Sequence, residues 1–477
     1  MRGENFLRPM ALAIPLAIGA CTSDAPRLAP PSAEQPWPIF APTVEIAREP
    51  EDRADADPSK EYGLDELIDL AQRRNPETRA AWERARQAAL AVGLTEASYL
   101  PQLTAEVLAG YQHTPLPIPP SLLPQGYFTA NTEELLPTLS VKWLLFDFGR
   151  RDGAQESARA NSFVANVAFT GAHQKLIFAV SRDYYALDAA RGRLRVAEQS
   201  LKNAGIVEDA VRLRRARGLA TLVDVAQAER RVAEARYALV GAEGSERAAY
   251  QALVASIGAG SAFSPRVADG SAISLPPAPG EPVDHFVHQA LAQRPDLLAA
   301  EGKIRAAEAN LRKEDADDYP TVALVAQGYQ NLGGLSVEGS PYYTVNQPGG
   351  NIGLVVSWSL YDGGMRSAKA AIARSQVAEA RDSLDQARDQ AARQVIDSYD
   401  SLKTGLAGYQ AAVTLKAAAQ LAYDASLDAY RHGVGTYLDL IQNETALTQA
   451  RSEFETSRAT SLSAARALAF STGTISK

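Results

Sequence analysis

The residues of this chain that could carry chemistry are few, and their spacing does not suit catalysis. Cys21 is the only cysteine among 477 residues, so there is neither a disulfide framework nor a thiolate metal site. His285 and His288, spaced i, i+3, could touch one metal ion, but no cysteine or nearby third histidine completes a ligand set, and exposed helix residues explain them as well. Glu314-Asp315-Ala316-Asp317-Asp318 reads as a solvated helix end. No glycine loop with Lys-Ser or Lys-Thr and no nucleophile elbow occurs, so neither an enzyme nor a cofactor is expected, and energy must come from a partner. What remains is an acid placed twice behind a glycine turn. Gly218-Leu219-Ala220-Thr221 leads to Asp224, and Gly433-Val434-Gly435-Thr436 leads through Tyr437 to Asp439, with Gln227 and Gln442 one turn later. The glycines suit helix C-caps, and an exposed first-turn acid such as Asp224 is favoured by the helix dipole.

Composition and the first residues narrow the class further. With 48 Lys and Arg against 56 Asp and Glu, the formal charge is −8. No basic stripe is present to release counterions from phosphates, so nucleic acid is not an expected partner. Arg2 and Arg8 precede an apolar run from Met10 to Ile18, a secretory signal (1–20) too short to span a bilayer. Gly19 and Ala20 directly before Cys21 look like a bacterial lipoprotein box. That likeness implies cleavage before Cys21 and lipidation of its thiol and new amino group; a plain secretory signal with an incidental cysteine is the alternative. Thr22 rather than Asp follows, which in the lipoproteins it resembles favours the outer membrane. Residues 21–63, with many Pro, Ala and acidic residues, read as an extended tether.

The two glycine turns belong to two copies of one unit, residues 64–258 and 280–473, joined by a linker at 259–279. Trp143, Gly218, Asp224 and Gly258 recur as Trp358, Gly433, Asp439 and Gly473, each 215 positions on (358 less 143 for the first). Upstream, Pro76 and Pro101 recur as Pro295 and Pro320 at an offset of 219. The difference falls in 113–135 and 331–350, which are rich in Gly, Pro, Asn and Ser and read as loops. A repeat this long is too big for a solenoid unit, so the chain reads as a duplicated domain.

Within each copy the hydrophobic period changes from helix to strand and back. Leu64 to Ala97 is helical, with a break at Asn75-Pro76. Leu103, Ala105, Val107, Ala109 and Tyr111 then alternate with polar residues or glycine, Leu108 excepted; Leu139, Val141, Trp143 and Leu145 stand against Thr138, Ser140 and Lys142, and in copy two Ile352, Leu354, Val356, Trp358 and Leu360 against Asn351, Gly353, Ser357 and Ser359. Strands of about ten residues with one apolar face, an aromatic near the end and a Gly/Pro-rich loop between them suit a transmembrane barrel. A soluble hairpin packed on a helix shows the same period. The remainder reads as coiled-coil helix, so lipid is the cover left for these faces.

Proline is absent from Asp152 to Arg217 and from Met365 to His432, and Ala370, Ala373, Val377, Ala380, Leu384, Ala387 and Ala391 form a small-residue seam. Helices of about 66 residues would be about 100 Å long, and helices of about 34 and about 38 residues placed end to end would match them. Four strands per chain cannot close a barrel, because the smallest have eight. The chain must therefore oligomerise, a dimer giving eight strands and a trimer twelve.

Both copies' W-x-L-[FY]-D-x-G-x-R strand ends, the G-x-x-T-x-x-D turns and the [QR]-[NP] helix starts resemble the TolC and OprM family of outer-membrane efflux proteins. The resemblance covers nearly all of residues 60–473, and the lipoprotein box looks like the OprM branch, as in NodT-type lipoproteins. It implies an α+β membrane protein: a homotrimer with a 12-stranded β-barrel, four strands per chain, continuous with a long 12-helix α-barrel. It further implies a passive exit duct in outer-membrane lipid that docks with a periplasmic adaptor and an inner-membrane transporter. By the same resemblance Gly218, Thr221, Gly433, Gly435 and Thr436 mark the tips that receive the adaptor. Asp439 matches an acidic constriction position, braced by Tyr437, while Gln442 stands where some members carry a second Asp. A non-conducting coiled-coil scaffold lipoprotein or pump adaptor is the competing reading, although an adaptor needs one helical hairpin flanked by small β domains.

Overall fold

A computed structural model describes residues 60–258, 264–337 and 340–476, with 32, 34 and 35. The secretory signal, Cys21 and most of the tether fall outside the described residues.

Each copy opens with a broken helix, α1 (Leu64–Arg74) and α2 (Pro76–Ala97) in the first. Proline at the first helical position has no N–H to lose and pushes the residue before it into extended backbone, as Asn75 shows with ψ 124°. The Asn75 side chain then accepts the Glu77 N–H at 2.7 Å. From there α3 (Arg150–Ala216) runs 67 residues, about 100 Å, and α4 (Leu222–Ile257) returns 36. Copy two repeats the plan with α5 (Val283–Gln293), α6 (Pro295–Ala316), α7 (Met365–His432, 68 residues) and α8 (Tyr437–Ser471, 35 residues). Helix α3 is the central column, flanked by α2, α4, α6 and α8. At its start the backbones nearly touch, for a Cβ added to Gly153 would lie 2.8 Å from the Lys313 nitrogen. The small-residue seam forms as expected: Ala370, Ala373, Val377, Leu384 and Ala391 are buried, and Ala380 and Ala387 half-buried. No described helix is long and apolar enough to cross a membrane.

The strands are β1 (Glu61–Tyr62), β2 (Gln102–Pro117), β3 (Tyr127–Phe146), β4 (Arg266–Val267), β5 (Thr321–Asn331), β6 (Gly334–Val337), β7 (Tyr343–Thr344) and β8 (Gln347–Ser357). The four long ones lie in the order β2-β3-β5-β8, all antiparallel. Register places Leu103, Val141, Ala326 and Ile352 in one row and Trp143, Leu324 and Leu354 in another on the same face. Thr104, Ser140, Gln327 and Asn351 fill a row on the opposite face. One sheet thus carries a largely apolar surface and a mostly polar one, because side chains alternate with period two, and the polar one is interrupted by Leu108 with Leu136 and by Leu144 with Ala323 and Val355.

Two expectations are corrected. Strand length is 16 and 20 residues in copy one rather than about ten, and most of 113–135 is strand, the turn shrinking to 118–126. Pro115 and Pro117 disguise this, but among the described residues β2 pairs only with β3, and an edge strand tolerates proline. Likewise 331–350 holds β6, β7 and the start of β8, with β6 and β7 extending the sheet beside β3. The tether and linker are also less passive than composition implies. Tether strand β1 pairs in parallel with linker strand β4. Arg458 of α8 donates to Asp188 of α3 at 2.6 Å and to the linker carbonyls of Gly270 and Ile273 at 2.5 and 2.9 Å. Both charges are buried within the waist of the chain, where a core draws Ile68, Val180, Leu253 and Leu462 from both copies.

Candidate functional site at the helix turns

The two glycine turns are built alike. At the first, Gly218 takes φ +75°, its N–H reaches the Arg215 carbonyl at 2.9 Å, and Leu219 N–H reaches the Arg214 carbonyl at 2.9 Å. At the second, Gly433 takes φ +82°, with Gly433 N–H to Tyr430 at 3.1 Å and Val434 N–H to Ala429 at 3.0 Å. This bond pair is the Schellman closure, and its left-handed residue selects glycine. Gly435 completes the second turn by donating to Ala429 at 3.0 Å.

Thr221 and Thr436 then start the returning helices as N-caps. The Thr221 hydroxyl accepts the Asp224 N–H at 3.1 Å while Asp224 accepts the Thr221 N–H at 2.8 Å. The Thr221 N–H and, next, the Thr221 hydroxyl, which donates to the same carboxylate at 2.8 Å, hold the Asp224 carboxyl below its ordinary value. In copy two the Thr436 hydroxyl accepts the Asp439 N–H at 3.1 Å and donates to its carboxylate at 2.6 Å. Asp224 therefore closes a capping box whereas the Asp439 carboxylate accepts only the Thr436 hydroxyl, and Asp439 and Gln442 are exposed one turn apart on α8. Tyr437 is half-buried, its ring 6.3 Å from that of Tyr430, and burial raises both phenols. Arg214 lies over Tyr430 at 4.6 Å and donates to its carbonyl at 2.8 Å, tying the first turn to the second helix pair. His285 and His288 stand on α5, away from these turns.

One polar node escaped the sequence reading. Glu444 is fully buried and accepts Arg231 Nε at 2.9 Å, Arg231 Nη2 at 2.5 Å and the Ser200 hydroxyl at 3.0 Å. It joins α3, α4 and α8, and so both copies. The only hint in the sequence is an acid in the stripe Leu440, Glu444, Leu447, Ala450, all buried.

Comparison with known proteins agrees with this architecture. The family described as "Outer membrane efflux protein" matches residues 67–259 and 286–474, the two copies. Among curated proteins, Protein CyaE of Bordetella pertussis is 28% identical over 83% of this chain and 81% of its own. The Cation efflux system protein CusC of Escherichia coli K12 is 24% identical over 81% and 80%. Among solved structures, a Pseudomonas aeruginosa membrane protein superposes with TM-score 0.74 at 22% identity, covering 86% of this chain and 93% of that one. The open-state MtrE channel of Neisseria gonorrhoeae gives 0.68 at 21%, covering 86% and 88%. With a family match across both copies, the chain belongs to the outer membrane efflux proteins.

Proposed function

We propose that this chain is the outer-membrane exit duct of a tripartite efflux or type I secretion system, conducting cargo passively from a periplasmic adaptor and inner-membrane pump to the exterior. The observation that supports it most is the continuity between a two-faced sheet and helices about 100 Å long. Lipid covers the apolar face, and the polar face lines water. Strands β2 and β8 each have one ladder edge without a partner among the described residues, and four long strands fall short of the eight a barrel needs. Three copies give twelve strands and a twelve-helix tunnel. Cys21 supplies a lipid anchor after removal of residues 1–20. The turns at Gly218, Thr221, Gly433, Gly435 and Thr436 receive the adaptor, and three copies of Asp439 converge as the periplasmic constriction, flanked by Tyr437 and Gln442. Acids gathered round one axis attract cations. Two matched pairs of amphipathic strands weigh against an adaptor or a scaffold.

Planar-bilayer recordings test the reading. The purified protein is expected to conduct in discrete steps, to prefer cations and to be blocked by a trivalent cation on the periplasmic side. Asp439→Ala is expected to lose most of that block. A protein that inserts nowhere and never conducts is not a duct, and unchanged block in the variant places the constriction elsewhere.

A further inference from the structure

The junction between sheet and long helix is built twice, and the two versions differ. In copy one Trp143 donates its indole N–H to the Tyr99 carbonyl at 2.8 Å, and Arg151 donates Nε to Asp147 at 2.9 Å. The outer nitrogens of Arg151 reach the carbonyls of Ser98, Leu144 and Leu145. The Tyr99 ring lies under that guanidinium at 4.5 Å, and its hydroxyl donates to Asp152. The corner is filled.

Copy two keeps the frame and omits the filling. Trp358 donates to the Asp318 carbonyl at 3.0 Å and Arg366 Nε to Asp362 at 2.9 Å. At the matching offsets, however, Asp318 replaces Tyr99, Ser367 replaces Asp152 and Lys369 replaces Ala154. An open cleft of about 480 Å³ results, lined by Arg150, Tyr319, Trp358, Arg366 and Lys369.

The charges say what it holds. Asp317 lies 3.0 Å from Arg150, and Asp362 and Asp318 lie 2.9 and 3.8 Å from Arg366. Three carboxylates thus balance three cations and the cleft is neutral overall, but none of the three pairs with Lys369, which stands exposed at the rim where the negative charge of a zwitterionic headgroup can meet it. Trp358 and Tyr319 are more than half exposed where the strands end, the level at which aromatics meet lipid headgroups. Above them Val356 and Leu354 continue the apolar face. A single anion below an apolar path describes an amphiphile.

We propose that the cleft binds the headgroup of a glycerophospholipid of the periplasmic leaflet, its phosphodiester on Lys369 and its acyl chains along Val356 and Leu354. This rests on the outer-membrane reading above. The protein in phospholipid nanodiscs, released gently into native mass spectrometry, tests it. Wild type is expected to retain lipid, Lys369→Ala to retain about fivefold less, and the copy-one mimic Asp318→Tyr/Ser367→Asp/Lys369→Ala to retain none. Lys369→Ala alters one exposed side chain, so it decides the matter even if the triple variant misfolds. Equal retention in wild type and Lys369→Ala overturns the proposal, as does displacement of the lipid by equimolar glycerol phosphate, which would make the ligand a free phosphate ester. A protein that inserts and conducts but holds no cleft lipid defeats this inference alone; one that does neither defeats the duct reading first.

Discussion

At each helix turn a single hydroxyl starts a helix about 50 Å long. Thr221→Ala and Thr436→Ala remove a cap and should each cost about 1 kcal/mol, seen as about fivefold faster amide exchange over the first turn of α4 or α8. The Asp224 carboxyl sits below its ordinary 3.8 because the Thr221 N–H and hydroxyl favour its charged form. Its contribution is therefore complete above the ordinary value and lost as pH falls through the lower folded one. The protection of first-turn amides, taken relative to the intrinsic exchange rate at each pH, should be flat from neutral pH to about 4.5 and fall only in stronger acid. Glu444 calls for a harsher outcome: Arg231→Ala leaves a fully buried carboxylate without its cation and should destabilise the protein by about 3 kcal/mol. Arg231→Met with Glu444→Leu should recover most of that loss, measured as the thermal midpoint in detergent. The caps were legible in the sequence, since Thr, Asp and the glycine before them are local chemistry. The Glu444 node was not, because its partners sit 213 and 244 residues away on two other helices.

At the scale of elements, the assigned strand faces make an asymmetric prediction. Val141→Arg or Leu354→Arg should cost roughly 2 to 4 kcal/mol near the bilayer midplane, while arginine at Ser140 or Gly353 should be milder. Oligomer yield after outer-membrane extraction measures it, and equal yields for both sets contradict the face assignment. The crossing of α3 and α6 is equally exacting. Gly153→Val would drive side-chain atoms into the Lys313 and Ala309 backbone, which cannot give way as a side chain could. Helix lengths and the alanine seam were readable because a 3.6-residue period survives single irregularities. Strand ends were not, because prolines on an edge strand look like loop and because β6 pairs with β3 across some two hundred residues. The cleft beside Trp358 needed the structure too: the W-x-L-[FY]-D-x-G-x-R motif reads the same in both copies, and only the packing of Tyr99 separates filled from open.

For the whole molecule, the duct reading calls for a second chain on each side of the β2 and β8 edges that are unpaired among the described residues. Native mass spectrometry of the extracted protein should return three chains; two chains would mean an eight-stranded barrel and a narrower tunnel. The fixed offset of 215 made the twofold plan legible within one chain, but nothing in a single sequence counts its neighbours. The bond between Arg458 and Asp188 has a consequence for how such a chain comes to exist at all. Asp188 leaves the ribosome 270 residues ahead of the cation that allows it to be buried. Until α8 is made, the waist of the first copy carries an acid that its core cannot take in, and the linker carbonyls of Gly270 and Ile273 lack their donor. The halves therefore cannot mature in order of synthesis as two independent domains. Folding of the waist waits for nearly the last helix to be made, and a fragment ending at residue 258 is expected to remain protease-sensitive around α1 however long it is given.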